Sequence, residues 1–364
     1  MTVRAIDPIA DEGWDDFVNS HKDASIYHTS MWCRVLSQTY GFQPRYFVIL
    51  DDKKIIKAAM PLMIVKKMFG GEKIVGLPFT PYCNPLFAYK DHMNTLIESI
   101  IKLQKKIKGS SLEIRFKSDG LNLKKEIRPI GQQVGYTRFE FSQNKNFMTH
   151  ILDLTSDLVS IKNSFHNSCI KRPIKKAARS DLLLHIANDK SDLKEFYRLQ
   201  LITRKKHGIP PQPLKYFNIM WDELHNQGHM ELLLAISKGD VIAGIILLKY
   251  NKTAIYQNGA ANNRFIKLHP YHFLLWNAIK TAHKEGYRFF DFGRSSIDEA
   301  GLVQFKDRWA ASRVQVVYYF YPRISGVTSL SKKNWKYRVP SKIIDWLPLP
   351  LFRLIGGASY RYLG

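Results

Sequence analysis

The chain has 364 residues, 45% hydrophobic and 24% charged, which excludes a disordered chain and gives enough length for about two domains. With 55 Lys and Arg against 31 Asp and Glu, the net charge is +24, a sign that suits nucleic acid, an anionic membrane surface or a phosphate-bearing substrate. Cys33, Cys83 and Cys169 are odd in number and far apart, which excludes a disulfide framework and a metal-ligand pair and points to a reducing compartment.

The opening segment, MTVRAIDPIADEGWDD, lacks the apolar core of a signal peptide. No apolar run in the chain approaches the roughly 18 residues of a spanning helix. The first strong helix signal is TSMWCRVLSQTYG. Thr29 or Ser30 caps it, Trp32, Val35 and Leu36 form its stripe, and Gly41 ends it. Two β-rich runs follow around a short charged turn, YFVIL-DDK-KIIKAAMPLMIV. A helix, MNTLIESIIKLQKKIKG, places Leu96, Ile97, Ile100, Ile101 and Ile107 on one face and stops at Gly109; SLEIRF alternates like a strand.

A basic segment, IKNSFHNSCIKRPIKKAARSDL, crowds Lys171, Arg172, Lys175, Lys176 and Arg179. Ile170, Ile174 and Ala178 give it an apolar side, a break is expected at Pro173, and a helix should run from Pro173 to about Ser180. The segment is either a solvated face or a wall for a pyrophosphate. Next come a helix, SDLKEFYRLQLITRKKHG, and a turn-rich stretch, IPPQPLKYF. The paired runs then recur as ELLLAIS-KGD-VIAGIILLKY, followed by a strand TAIYQNGAA, a helix PYHFLLWNAIKTAHKEG and a strand YRFFDFG. This recurrence predicts an α/β (α+β) chain of two similar domains, residues 1–150 and 151–325. The remainder, residues 326–364, is a basic, apolar tail that suits an interfacial membrane segment.

The stretch FDFGRSSIDEAGLVQFKDRWAA is unusually charged for a connector between two strands. With GDVIAGIILL, AIYQNGAANNR, RKKHGIPPQPLKYF and LPLPLFRLIGG, it resembles the Fem-like branch of the GNAT acyltransferase superfamily. The nearest resemblance is to FemAB-like proteins of exopolysaccharide and PEP-CTERM/exosortase gene clusters. It spans most of residues 24–356.

The resemblance implies two GNAT-like domains, each a mixed sheet with helices on its faces, and transfer of an acyl or aminoacyl group to an amine. It places Lys306 near the transfer centre, where an ammonium would stabilise the developing oxyanion or hold a phosphate. Asp291 is a candidate base or binder of the acceptor ammonium, or a carboxylate paired with a nearby Arg. Tyr256 is a candidate acid or a core aromatic. Arg294, Ser295, Phe305, Asn258, Arg172, Lys175 and His207 are candidates for substrate binding. The expected donor is an acyl thioester, acyl-CoA, held by Arg264, Lys267 and His269 at a helix start; the loop there, NNRFIKLHP, carries no glycine. The alternative donor is aminoacyl-tRNA, which Fem proteins use, and nucleic acid is a partner only in that case. The third reading is a non-catalytic basic scaffold. No permanent cofactor and no metal are expected. The expected acceptor is an anionic or phosphate-bearing glycan or lipid-linked precursor, and the expected location is the cytoplasm or the inner membrane face.

Overall fold

The structure, a computed structural model, describes residues 1–68, 70–89, 91–107, 110–118, 141–322 and 348–362. The chain divides into two compact units. One is built from Met1–Phe147 and the strand segment that begins at Val314. The other is built from Met148–Arg313, with the terminal segment that ends at Ser359.

The first unit contains β1 (Thr2–Ile6), α1 (Trp14–Ser20), α2 (Ser30–Tyr40), β2 (Gln43–Pro44), β3 (Tyr46–Leu50), β4 (Ile56–Met60), β5 (Met63–Lys66), β6 (Glu72–Val75), β7 (Leu86–Phe87), α3 (Asp91–Lys106) and β8 (Ser111–Lys117). Helix α2 starts as expected: the Thr29 hydroxyl accepts from Trp32 N–H at 3.2 Å, and Gly41 closes it at φ 75°. The single run expected over KIIKAAMPLMIV is instead two strands, β4 and β5. Pro61 lies between them and has no N–H to give a ladder. Helix α3 buries Leu96, Ile97, Ile100 and Ile101. The stop expected at Gly109 lies outside the described residues.

Strands β1, β3, β4 and β7 pair antiparallel. In a second sheet β6 and β8 pair parallel, with β5 antiparallel on β6 and β2 antiparallel on β5, so that sheet is mixed. A further member comes from far along the chain: Val316–Tyr321 pairs antiparallel with β8. Glu113 is buried within β8. Burial pushes its carboxyl up, but Arg115 at 2.6 Å and Lys73 at 2.5 Å outweigh that and hold it near 2.

The second unit contains the later part of β9 (Ser142–Asp153), α4 (Leu158–Ser164), α5 (Arg172–Ala178), β10 (Leu182–Ile186), α6 (Lys190–Lys206), α7 (Leu214–Met220), β11 (Met230–Ser237), β12 (Asp240–Tyr250), β13 (Thr253–Ala261), α8 (Pro270–Lys284), β14 (Phe289–Asp291), β15 (Ser295–Ser296) and α9 (Ala300–Asp307). Strand β16 (Ser312–Tyr321) and α10 (Leu349–Tyr360) follow. Strands β10 to β13 form an antiparallel meander, β14 joins β13 in parallel, and β9 pairs antiparallel with β14. The first unit therefore combines a four-stranded antiparallel sheet with strands of a mixed sheet, and the second has a mixed sheet; helices flank both, a GNAT-like arrangement. Gly244 lets α6 approach closely: a Cβ there would sit 2.7 Å from Phe196 and from Leu234.

Two local expectations change. The basic segment does not break at Pro173. A π-helical turn, Asn167–Lys171, runs directly into α5, and Pro173 falls in the first turn of that helix, where a missing N–H costs little. The π turn also shifts the phase, so Ala177 is buried and Ala178 exposed. The stretch read as turn-rich, IPPQPLKYF, passes into helix α7, with Pro213 just ahead of its first turn.

Of the tail, residues 323–347 lie outside the described set, including Trp335, Lys342, Trp346 and Leu347. Helix α10 packs Phe352 and Gly356 inward; a Cβ at Gly356 would collide with the backbone oxygen of Pro211. Leu351, Leu354 and Ile355 point outward, 50%, 69% and 43% exposed.

Candidate active site

Strands β13 and β14 pair over three residues only, ending at Ile255 with Asp291. Strand β13 runs on to Ala261 while the other chain turns away at Gly293, which opens a splay between them. The β12–β13 register shifts after Ile246, leaving Gln257 in a bulge. Gly293 is at φ +72°, and a Cβ there would meet Tyr256 O at 3.0 Å, so the sharp exit needs glycine.

Asp291 is 1% exposed. Its Oδ1 accepts from the Thr149 hydroxyl on β9 and from Gly293 N–H at 2.7 Å. The carboxylate thus braces the turn it precedes. Lys306, on α9, is 4% exposed, and its Nζ donates to Gly293 O at 2.7 Å and lies 3.5 Å from Arg294 O. Burial pushes the Lys306 ammonium down to about 8, while Asp291 and Glu299 hold it up. A buried ammonium thus lies at the splay, beside a carboxylate and a strand-end carbonyl.

Around this centre, Ser295 is buried and its hydroxyl has no hydrogen-bond partner among the described residues. Arg294 is exposed on the turn. Phe305 is half-buried, with its ring edge-on to His272 at 5.4 Å. Tyr256 packs against the core, and its hydroxyl occupies the space over Gly259. Burial raises its phenol well above the usual range, which makes it a weaker acid. The Asn258 side-chain Oδ1 has no hydrogen-bond partner among the described residues.

The other candidates lie on separate elements. Arg172 and Lys175 are exposed on α5, and His207 is exposed at the end of α6. Arg264 and Lys267 are exposed on a 3₁₀ turn, Asn263–Leu268, and His269 caps α8 in the left-handed region at φ 55°. Burial, and then the Lys176 charge, lowers the His269 pKa, so the basic end of α5 acts on the start of α8.

The sequence reading assigned no role to three residues here, Thr149, His150 and Arg313, nor to Asp307. His150 side chain is fully buried, with Nε2 at 3.3 Å from Asp307 Oδ1. Asp307 pairs with Arg313 and lines a pocket of about 510 Å³ beside α9. That volume falls within the range of small-ligand sites. Among the described residues, no group of His, Cys, Asp and Glu has a metal-holding arrangement.

The family described as an acetyltransferase (GNAT) domain matches residues 164–307. The lipid II:glycine glycyltransferase of Staphylococcus saprophyticus subsp. saprophyticus is 20% identical over 383 residues, covering 83% of this chain and 88% of that protein. The lipid II:glycine glycyltransferase of Staphylococcus aureus is likewise 20% identical, over 85% of this chain and 89% of its own. Among solved structures, FemX superposes with a TM-score of 0.67 at 17% identity, over 88% of this chain and 97% of FemX. The C-terminal domain of a putative lysylphosphatidylglycerol synthetase from Agrobacterium fabrum gives 0.54 at 12%, over 85% and 90%. These superpositions describe a shared fold.

Proposed function

We propose that this FemAB-like protein of GNAT fold, a transferase of acyl or aminoacyl groups, takes an aminoacyl group from aminoacyl-tRNA and places it on an amine of a lipid-linked cell-envelope precursor. The observation that carries this is the end-to-end similarity to lipid II:glycine glycyltransferases, which extends over 83% of the chain rather than over the GNAT core alone. It favours the aminoacyl donor over the acyl thioester expected from the strand-loop-helix order, and it leaves the non-catalytic scaffold reading without support. The start of α8 agrees with that choice. Pro270 there has no N–H, and a 3₁₀ turn occupies the place of a glycine-rich phosphate loop.

In this reading Lys306 donates to the ester carbonyl oxygen as it becomes negative, from a site poor in water where such a contact is strong. Gly293 O fixes the ammonium, and Asp291 fixes Gly293. Arg294, with Arg172 and Lys175 on α5, meets phosphates of the donor or the acceptor. Ser295, Phe305, Asn258 and His207 are assigned to substrate contact, and Tyr256 to shaping the splay. Arg264, Lys267 and His269 serve the phosphates of tRNA rather than those of CoA.

The full chain, incubated with glycyl-tRNA and lipid II, is expected to transfer radiolabelled glycine. It should transfer nothing from acetyl-CoA. Binding of tRNA should fall steeply as salt rises, because each phosphate contact releases counterions. Transfer from acetyl-CoA together with none from charged tRNA would return the protein to the thioester class.

A further inference from the structure

Asp307 closes α9 and lines the pocket, whose other walls mix the apolar Met148, Ile297, Ala300 and Val303 with the polar Gln304 and Arg313. Its side chain is 28% exposed. Arg313 holds it on the solvent side, with Nε at 2.8 Å from Oδ1 and Nη2 at 2.5 Å from Oδ2. The Arg313 side chain is itself 56% exposed, so the pair is screened and weakly held. On the inner side stands His150, two residues after Met148 and therefore on the same face of β9. Neither ring nitrogen has a hydrogen-bond partner among the described residues, although Nε2 faces Oδ1 at 3.3 Å.

The charges around His150 are Lys306, Asp307 and Arg313. Burial, and then Lys306, push its imidazole down to about 4, so it is neutral at physiological pH and adds no competing cation. Arg313 keeps Asp307 below the usual carboxylate range, and so ionised. The pocket therefore offers a carboxylate with a neutral ring behind it, a displaceable guanidinium in front, and an apolar strip of Met148, Ile297 and Val303 beside the polar Gln304.

Resting on the transferase reading above, we infer that this pocket receives the acceptor amine as a primary ammonium on an aliphatic arm, with Asp307 meeting it and His150 positioning the carboxylate. An ammonium has three donors and accepts nothing, which matches carboxylate oxygens; the methylenes of its arm match the apolar strip of the lining. A carboxylate ligand would meet Asp307 and be repelled.

The test uses the full chain, no donor, and n-butylamine at neutral pH, with n-butanol and butyrate as uncharged and anionic counterparts, followed by ligand-observed NMR. Butylammonium is expected to bind and the other two are not. Asp307→Asn should weaken binding about tenfold or more, the scale of one lost charge-assisted contact. Arg313→Gln should strengthen it severalfold by removing the competitor, an effect opposite to that of losing a structural ion pair. His150→Gln should weaken binding in the parent and have no effect in the Asp307→Asn background. Equal binding of alcohol and amine, or an Asp307→Asn protein that folds and binds unchanged, overturns the inference. If Asp307→Asn does not fold, Arg313→Gln decides alone: unchanged or weaker binding overturns it. Because no donor is present, failure of glycyl transfer from tRNA leaves this result standing, and the reverse holds as well.

Discussion

Lys306 is a cation placed where water is scarce, and the fold bears a cost for it. Its pKa, pushed by burial down to about 8, lies below that of an unfolded-chain lysine, so folding favours the neutral amine. Stability held back by this residue at neutral pH returns as pH rises from about 8 towards the unfolded value. Lys306→Ala is expected to leave the fold intact and to lower turnover about a hundredfold or more, as for one lost oxyanion contact. Because the ammonium is the working form, activity should fall as pH rises through about 8, and Lys306→Arg should abolish that limb of the profile. A flat profile in the parent protein, measured by single-turnover transfer, would assign Lys306 to structure alone. Lys306 and Asp291 were legible in the sequence because they sit in an ordered run, strand, glycine, acidic linker, Phe-Lys. His150 and Thr149 were not. They are polar residues buried on β9, and an inward-facing Thr or His breaks the apolar alternation by which a strand is recognised.

Among the elements, α10 has a packed side and an outward apolar side. Leu351, Leu354 and Ile355 follow helical spacing on the exposed side, and the exposed Arg353 lies nearby. Pro348 precedes the helix and Pro350 lies in its first turn, where proline is tolerated. Such a helix suits the interfacial zone of an anionic bilayer, and no helix among the described residues is long and apolar enough to cross one. The full chain should float with vesicles containing phosphatidylglycerol. Leu351→Ser with Leu354→Ser should cut the bound fraction severalfold while leaving the melting temperature unchanged. Equal flotation of parent and variant would mean that α10 does not contact the bilayer. Helices α2 and α8 were legible from start, stripe and stop, and α3 from its stripe. Helix α9 was not, because its eight residues follow an acidic linker and include Gly301, and the π turn was not because it replaces a break by a change of phase.

At the scale of the whole chain, the α/β class and the mixed sheet were legible from the recurring pattern of two β runs, turn, helix and strand. The donor was not, since no short motif distinguishes a charged tRNA from a thioester, and a net charge of +24 suits either. Nor was the origin of β16. That strand pairs with β8 in the mixed sheet and contributes Val316, Val317, Tyr318, Tyr319 and Phe320 to the buried core of the first unit, yet it is synthesised after the whole of Met148–Arg313. On the ribosome, the first unit to emerge must therefore wait, with the edge of β8 unpaired, while the second unit is made. The order of maturation is expected to be the reverse of the order of synthesis. A nascent chain stalled before Val314 should leave residues 1–147 open to protease and residues 148–313 resistant, and early protection of residues 1–147 would contradict it.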